Sequence, residues 1–116
     1  MYARSERLRE LLRTEVARAL RGVKDPGLSG FMTVTDLALS ADLKTATVYY
    51  SILGSGRERQ SSAAALERAS PYIRQVLRKR LTLKLIPHLV FLYDETPRKA
   101  SRIEQLLMKI EGEEEK

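Results

Sequence analysis

The chain has no cysteine, no tryptophan, one histidine and four prolines in 116 residues. Without cysteine there is no disulfide, thiolate zinc site, iron–sulfur cluster or thiol nucleophile, and the absence fits a reducing compartment. The one histidine, His88, has no second histidine or cysteine with which to hold a metal. At the mouth of a strand-like run it reads as structural or solvated. No apolar run approaches the ~18 residues of a membrane span. The opening residues, Met1 to Glu6, contain no apolar signal core. The expectation is a soluble, cytoplasmic protein with no membrane partner.

The signatures of catalysis are missing as well. Gly54-Ser55-Gly56 is not followed by Gly-Lys-Ser/Thr, so a phosphate-binding P-loop is absent. No nucleophile-elbow pattern occurs. Asp36 and Asp42, or Asp94 and Glu95, read better as turn and strand-end residues than as an acid–base pair. No catalytic residue, metal or cofactor is expected, so the chain does not read as an enzyme.

What is present in quantity is positive charge. Hydrophobic residues make up 43% and charged residues 31%, the composition of one globular domain, and the net charge is +6. Residues 1–24 hold seven basic and three acidic side chains, a balance of +4. Residues 57–84 hold eight and two, a balance of +6. Residues 25–56 and 85–97 are each −2, and 98–116 are neutral. An excess gathered in two segments points to a polyanion-binding face.

Leu8, Leu11, Leu12, Val16, Ala19, Leu20 and Val23 recur at helical spacing and predict an amphipathic first helix. Arg7, Arg18 and Arg21 share its opposite side. Glu15 falls inside the apolar arc, where a buried carboxylate must reach an edge or meet a cation. Asp25-Pro26-Gly27 ends the helix as a turn. Phe31–Ser40 and Thr45–Ile52 are strand-like, and the short link between them predicts an antiparallel hairpin. Ala46, Val48, Tyr50 and Ile52 form one face of the second strand. Gly54-Ser55-Gly56 reads as a flexible connection, and the next helix starts near Ser61-Ser62.

Leu66, Ala69, Ile73, Val76, Leu77 and Leu81 keep helical spacing past Pro71. An interior proline costs about 3 kcal/mol. The expectation is therefore two helices meeting at an angle, with Ser70 capping the second and Pro71 in its first turn. Leu89–Tyr93 is a third strand, central in its sheet or covered by helices. Ile103, Leu106, Leu107 and Ile110 predict a C-terminal helix before a charged tail. Residues 1–97 read as the binding domain and 98–116 as the appended helix and tail. The order gives an α+β sandwich of two layers with a three-stranded sheet.

Three stretches of this sequence are similar to the bacterial ribosome-binding factor A family: "VKDPGLSGFMTVTDLALSADLKTATVYYSILG", "RKRLTLKLIPHLVFLYDET" and "RIEQLLMKI". The resemblance runs from about Leu8 to Ile110. It implies a type II KH-like domain, helix–strand–strand–kinked helix pair–strand, that lacks the usual Gly-x-x-Gly loop. The family carries an Ala-x-Gly kink, and the matching positions here are Ala69, Ser70 and Pro71, with proline where glycine is expected. Gly27 stands where the family usually has arginine.

The resemblance further implies a non-catalytic assembly factor, important in the cold, that binds the 30S subunit and 16S rRNA during late maturation, including processing of the rRNA 5′ end. Ribosomal proteins are further partners, and the free protein is a monomer. Carried onto this chain, Arg74, Arg78, Lys79, Arg80 and Lys84 are the expected rRNA phosphate contacts. Arg4, Arg7, Arg18 and Arg21 on the first helix and Lys44 at the hairpin tip are secondary ones. Reversing the charge at Arg74 and Arg78 is expected to weaken binding and leave stability nearly unchanged. The alternatives are a general KH-like binder of single-stranded RNA, a module for an acidic protein partner, and a metal-dependent nuclease.

Overall fold

The computed structural model describes residues 2–28, 31–83 and 85–96. Five elements follow in order: α1 (Tyr2–Arg21), β1 (Phe31–Leu39), β2 (Thr45–Leu53), α2 (Gly56–Arg80) and β3 (His88–Tyr93). The expected C-terminal helix and tail, with the boundary at 97/98, lie outside the described residues.

The sheet order is β1-β2-β3. β1 and β2 form the expected antiparallel hairpin, with Leu37 opposite Val48 and Leu39 opposite Ala46. β3 lies parallel to β2, with Ala46 opposite Leu89 and Val48 opposite Phe91. β2 is thus the central strand and β3 an edge. The apolar run of β3 reflects contact with α2 on one face, and Leu89 and Ile86 are buried there. A parallel pair needs a long crossover, and α2 supplies it.

The period-two pattern of β2 holds. Ala46, Val48, Tyr50 and Ile52 are all buried against the helices. α1 contributes Leu12, Val16, Ala19 and Leu20 to the same core, with Leu8 and Val23 packed at its margin. Leu11 is the exception in the predicted stripe and stays 44% exposed. Burying one such core side chain removes it from water for about 1.5–3 kcal/mol.

Two boundaries differ from the sequence reading. α2 starts at Gly56, because Ser55 is its N-cap in a complete capping box. The Ser55 hydroxyl accepts from the Glu58 N–H at 3.1 Å, and the Glu58 carboxylate accepts from the Ser55 N–H at 3.0 Å. Gly54-Ser55-Gly56 is therefore a helix start rather than a loose tether. Next, α2 runs unbroken from Gly56 to Arg80 with Pro71 inside it, so Ser70 does not cap a separate helix. Ala69, Ile73 and Leu77 are buried on one face, whereas Pro71 and Glu67 are exposed. The Glu67 carbonyl, deprived of its N–H donor by Pro71, lies on the side that water can reach.

The hairpin tip is tightly tied. Ser40 Oγ donates to Asp42 Oδ1 at 2.6 Å, the Lys44 N–H donates to the same oxygen at 3.1 Å, and the Thr45 N–H donates to Ser40 Oγ at 3.0 Å. Leu43 adopts φ 61°, the left-handed region that costs a non-glycine residue about 1–2 kcal/mol.

Candidate nucleic-acid interface

Glu15 meets Arg80, Gly22 lies against Tyr72, and Asp25 meets Arg68, so α1 and α2 run in opposite directions. The parallel strands β2 and β3 both begin at the hairpin end, where the Lys44 carbonyl accepts from the His88 N–H at 2.8 Å. α2 leaves the far end of β2 and returns to that end. The topology therefore brings the N-terminal half of α1, the hairpin tip and the last turn of α2 to one end of the molecule.

The basic side chains divide sharply once their partners are counted. Arg9 is held by Asp36 at 2.9 Å, Glu6 at 3.2 Å and Glu10 at 3.4 Å, and Arg13 by Glu10 at 3.3 Å. Arg59 lies 4.1 Å over the ring of Tyr93 and 3.9 Å from Glu95. Arg68 grips Asp25 with two hydrogen bonds of 3.0 Å. This clamp and the Gly27 N–H hold the Asp25 carboxyl below its ordinary value of 3.8. A Cβ at Gly27 would sit 2.7 Å from Arg68 Nη2 and 3.3 Å from the Ser61 carbonyl, so a larger residue there would displace the Arg68 guanidinium.

Arg74 differs from the outward-facing residue that its spacing suggests. It is half-buried, and its Nη2 donates to the Ile86 carbonyl at 3.1 Å, pinning the loop that enters β3. Its Nε is buried without a partner. The expectation that charge reversal here spares stability is corrected accordingly.

Arg80 is exposed but paired. Its Nε is 2.7 Å from Glu15 Oε2, and Arg18 Nη1 is 3.3 Å from Glu15 Oε1. The short Arg80 contact is a pairing of charges without hydrogen-bond alignment, since Oε2 has no aligned donor. The buried Glu15 thus meets its cations, as its place in the apolar arc requires.

Arg4, Arg7, Arg21, Lys24, Lys44, Arg57, Arg78 and Lys79 are exposed, and their charged groups make no ion pair or hydrogen bond among the described residues. Arg4, Arg7, Lys44, Arg78 and Lys79 belong to the hairpin end, whereas Arg21, Lys24 and Arg57 lie toward the other. Arg78, Lys79 and Arg80 also oppose the negative end of the α2 dipole. Lys84 lies outside the described residues. Between α1 and β1 runs a groove with Ala17, Leu20, Met32 and Val34 in its wall and Arg13, Arg18 and Arg21 along it. Among the described residues no cluster of side chains could hold a metal ion, and no helix is long and apolar enough to cross a membrane.

The family model described as ribosome-binding factor A matches residues 4–107. The chain belongs to the ribosome-binding factor A family. Members from Halothermothrix orenii and Geobacter metallireducens are 41% and 38% identical to it. These alignments cover 97% and 98% of this chain, and 92% and 97% of the respective relatives. The crystal structure of ribosome-binding factor A from Thermus thermophilus superposes with a TM-score of 0.69 at 26% identity, covering 77% of this chain and 93% of that one. The solution structure of the Thermotoga maritima protein also gives 0.69, at 32% identity, covering 77% of this chain and 85% of that one. The KH-like arrangement of two helices over a three-stranded sheet is therefore the family fold. A third neighbour, a Thermus thermophilus ribosome-binding factor A homology model fitted into a cryo-EM map of a 30S complex, superposes with a TM-score of 0.65 at 26% identity, covering 77% of this chain and 93% of that one.

Proposed function

We propose that this chain is a non-catalytic, cytoplasmic assembly factor that binds the 30S subunit and its 16S rRNA during late maturation, including processing of the rRNA 5′ end. One observation carries the reading. Of the eight exposed cations without protein partners among the described residues, five, Arg4, Arg7, Lys44, Arg78 and Lys79, lie where two helices and a hairpin tip converge. Cations on rigid elements lose little freedom on meeting phosphate, and their ion atmosphere exchange drives association. The 30S complex described for the Thermus thermophilus relative supports the same partner.

In this reading the protein binds an immature arrangement of rRNA more tightly than the mature one and is released as that arrangement disappears. On the same reading Pro71, inside α2 next to Ala69 and Ser70, bends the helix as an interior proline does and so sets the angle of its basic last turn. Lys84, three residues after Leu81 in the sequence, is a further expected phosphate contact. With no tryptophan in the chain, recognition falls on phosphate and rRNA shape.

Sedimentation of tagged protein through a ribosome gradient tests the proposal. Comigration with 30S particles, stronger for immature than for mature ones and lost after RNase treatment, is the expected result. A position at the top of the gradient, or competition by short unstructured RNA equal to that by whole subunits, would overturn it.

A further inference from the structure

Glu15 is the only buried charged side chain among the described residues. A carboxylate in that position is costly, and a well-packed apolar residue of similar volume often serves a fold as well or better. Its two oxygens are divided between two helices: Oε1 faces Arg18 of α1 at 3.3 Å and Oε2 faces Arg80 of α2 at 2.7 Å. The Glu15 side chain is only 10% exposed, whereas those of Arg18 and Arg80 are 52% and 47% exposed. The carboxylate thus lies beneath two guanidinium groups whose other edges reach solvent. Each guanidinium has five N–H donors, and the nitrogens that approach Glu15 are Nη1 of Arg18 and Nε of Arg80.

We propose that Arg18, Glu15 and Arg80 form a phosphate-binding fork, in which the two arginines grip one phosphate of an RNA backbone and Glu15 is the positioning residue beneath them. A phosphate presents pairs of oxygens that match the fork of a guanidinium, so the solvent-facing edges of the two arginines suit it. The three side chains sum to one positive charge, and the neighbouring exposed Arg78 and Lys79 add to it. The fork also joins the helices, so it fixes the last turn of α2 relative to α1. This inference rests on the proposed binding to the 30S subunit.

The sign of one substitution separates positioning from charge. Glu15→Gln removes a negative charge from a face that meets a polyanion. If Glu15 were only a neutralising charge, 30S binding would be unchanged or tighter. A positioning role gives the opposite: binding of Glu15→Gln to purified 30S particles weakens on the order of tenfold, the loss of one charge-assisted hydrogen bond. Arg80→Lys keeps the charge, removes the fork, and weakens binding comparably. In the double variant the two losses do not add, because both act on one contact. Circular dichroism melts check that each variant is folded, and Arg80→Lys carries the test if Glu15→Gln is not. Wild-type protein that fails to bind 30S particles would remove the functional reading itself. Wild-type binding matched or exceeded by a folded Glu15→Gln, or matched by Arg80→Lys, would overturn the fork alone.

Discussion

Arg68 closes on Asp25 across 43 residues of sequence, with Nε on Oδ2 and Nη2 on Oδ1, both at 3.0 Å. The pair ties the turn after α1 to the middle of α2, and Ser61 adds a hydrogen bond of 2.7 Å to the Gly27 carbonyl beside it. Without this tie the two helices would share only their apolar contacts at that end.

The clamp makes stability depend on acid. The folded pKa of Asp25 lies below its ordinary 3.8, chiefly through Arg68. A depressed carboxylate stabilises the fold above its unfolded pKa and loses that contribution as pH falls through the folded value. Asp42, held by Ser40, and Asp94, held by Thr35, are lowered in the same direction. Thermal melts should show falling stability below about pH 4. Asp25→Asn should be less stable than the wild type at neutral pH and lose less on acidification. Parallel pH profiles for the two proteins would remove the clamp from the account.

Arg74 and Arg78 should part company in denaturation experiments. Arg74→Ala frees the Ile86 carbonyl from its donor in a part-buried setting and should cost about 1–3 kcal/mol. Arg78→Ala touches no partner and should stay within about 0.5 kcal/mol of wild type. Equal stabilities would mean that Arg74 is not anchored as described.

Pro71→Ala restores an N–H donor to the Glu67 carbonyl within a helix that already continues on both sides. Stability should rise by up to about 3 kcal/mol in urea titrations. If the bend orients the basic last turn, the same variant should bind 30S particles less tightly. Greater stability with unchanged binding would assign Pro71 no part in recognition.

Local pattern carried the parts of the fold that local pattern controls. The alternation of Ala46, Val48, Tyr50 and Ile52 announced the buried face of β2, and the position of Glu15 announced that it would reach an edge or meet a cation. Pro71 misled because propensity alone favours a break. Packing of Ala69, Ile73 and Leu77 on one face keeps α2 continuous, while Glu67 and Pro71 lie on the exposed side. Ser55-Gly56-Arg57-Glu58 held a capping-box signature that its glycines obscured. The candidate site was less legible. Arg74 and Arg78 look equivalent at four-residue spacing, and only the Ile86 carbonyl beside Arg74 distinguishes them. No local signal pairs Arg68 with Asp25 or Arg80 with Glu15, since each pair joins segments distant in sequence. Nor does sequence order reveal that Lys44 shares an end of the molecule with Arg78.

The central claim is that the partnerless cations at the hairpin end contact rRNA phosphates. The salt dependence of 30S binding by Arg78→Gln/Lys79→Gln, beside the wild type, measures it most directly. Each phosphate contact removed should lower the slope of log K against log salt by about 1, so the double variant should lose about 2, with an unchanged melting profile. An unchanged slope and affinity in a folded double variant would contradict the claim.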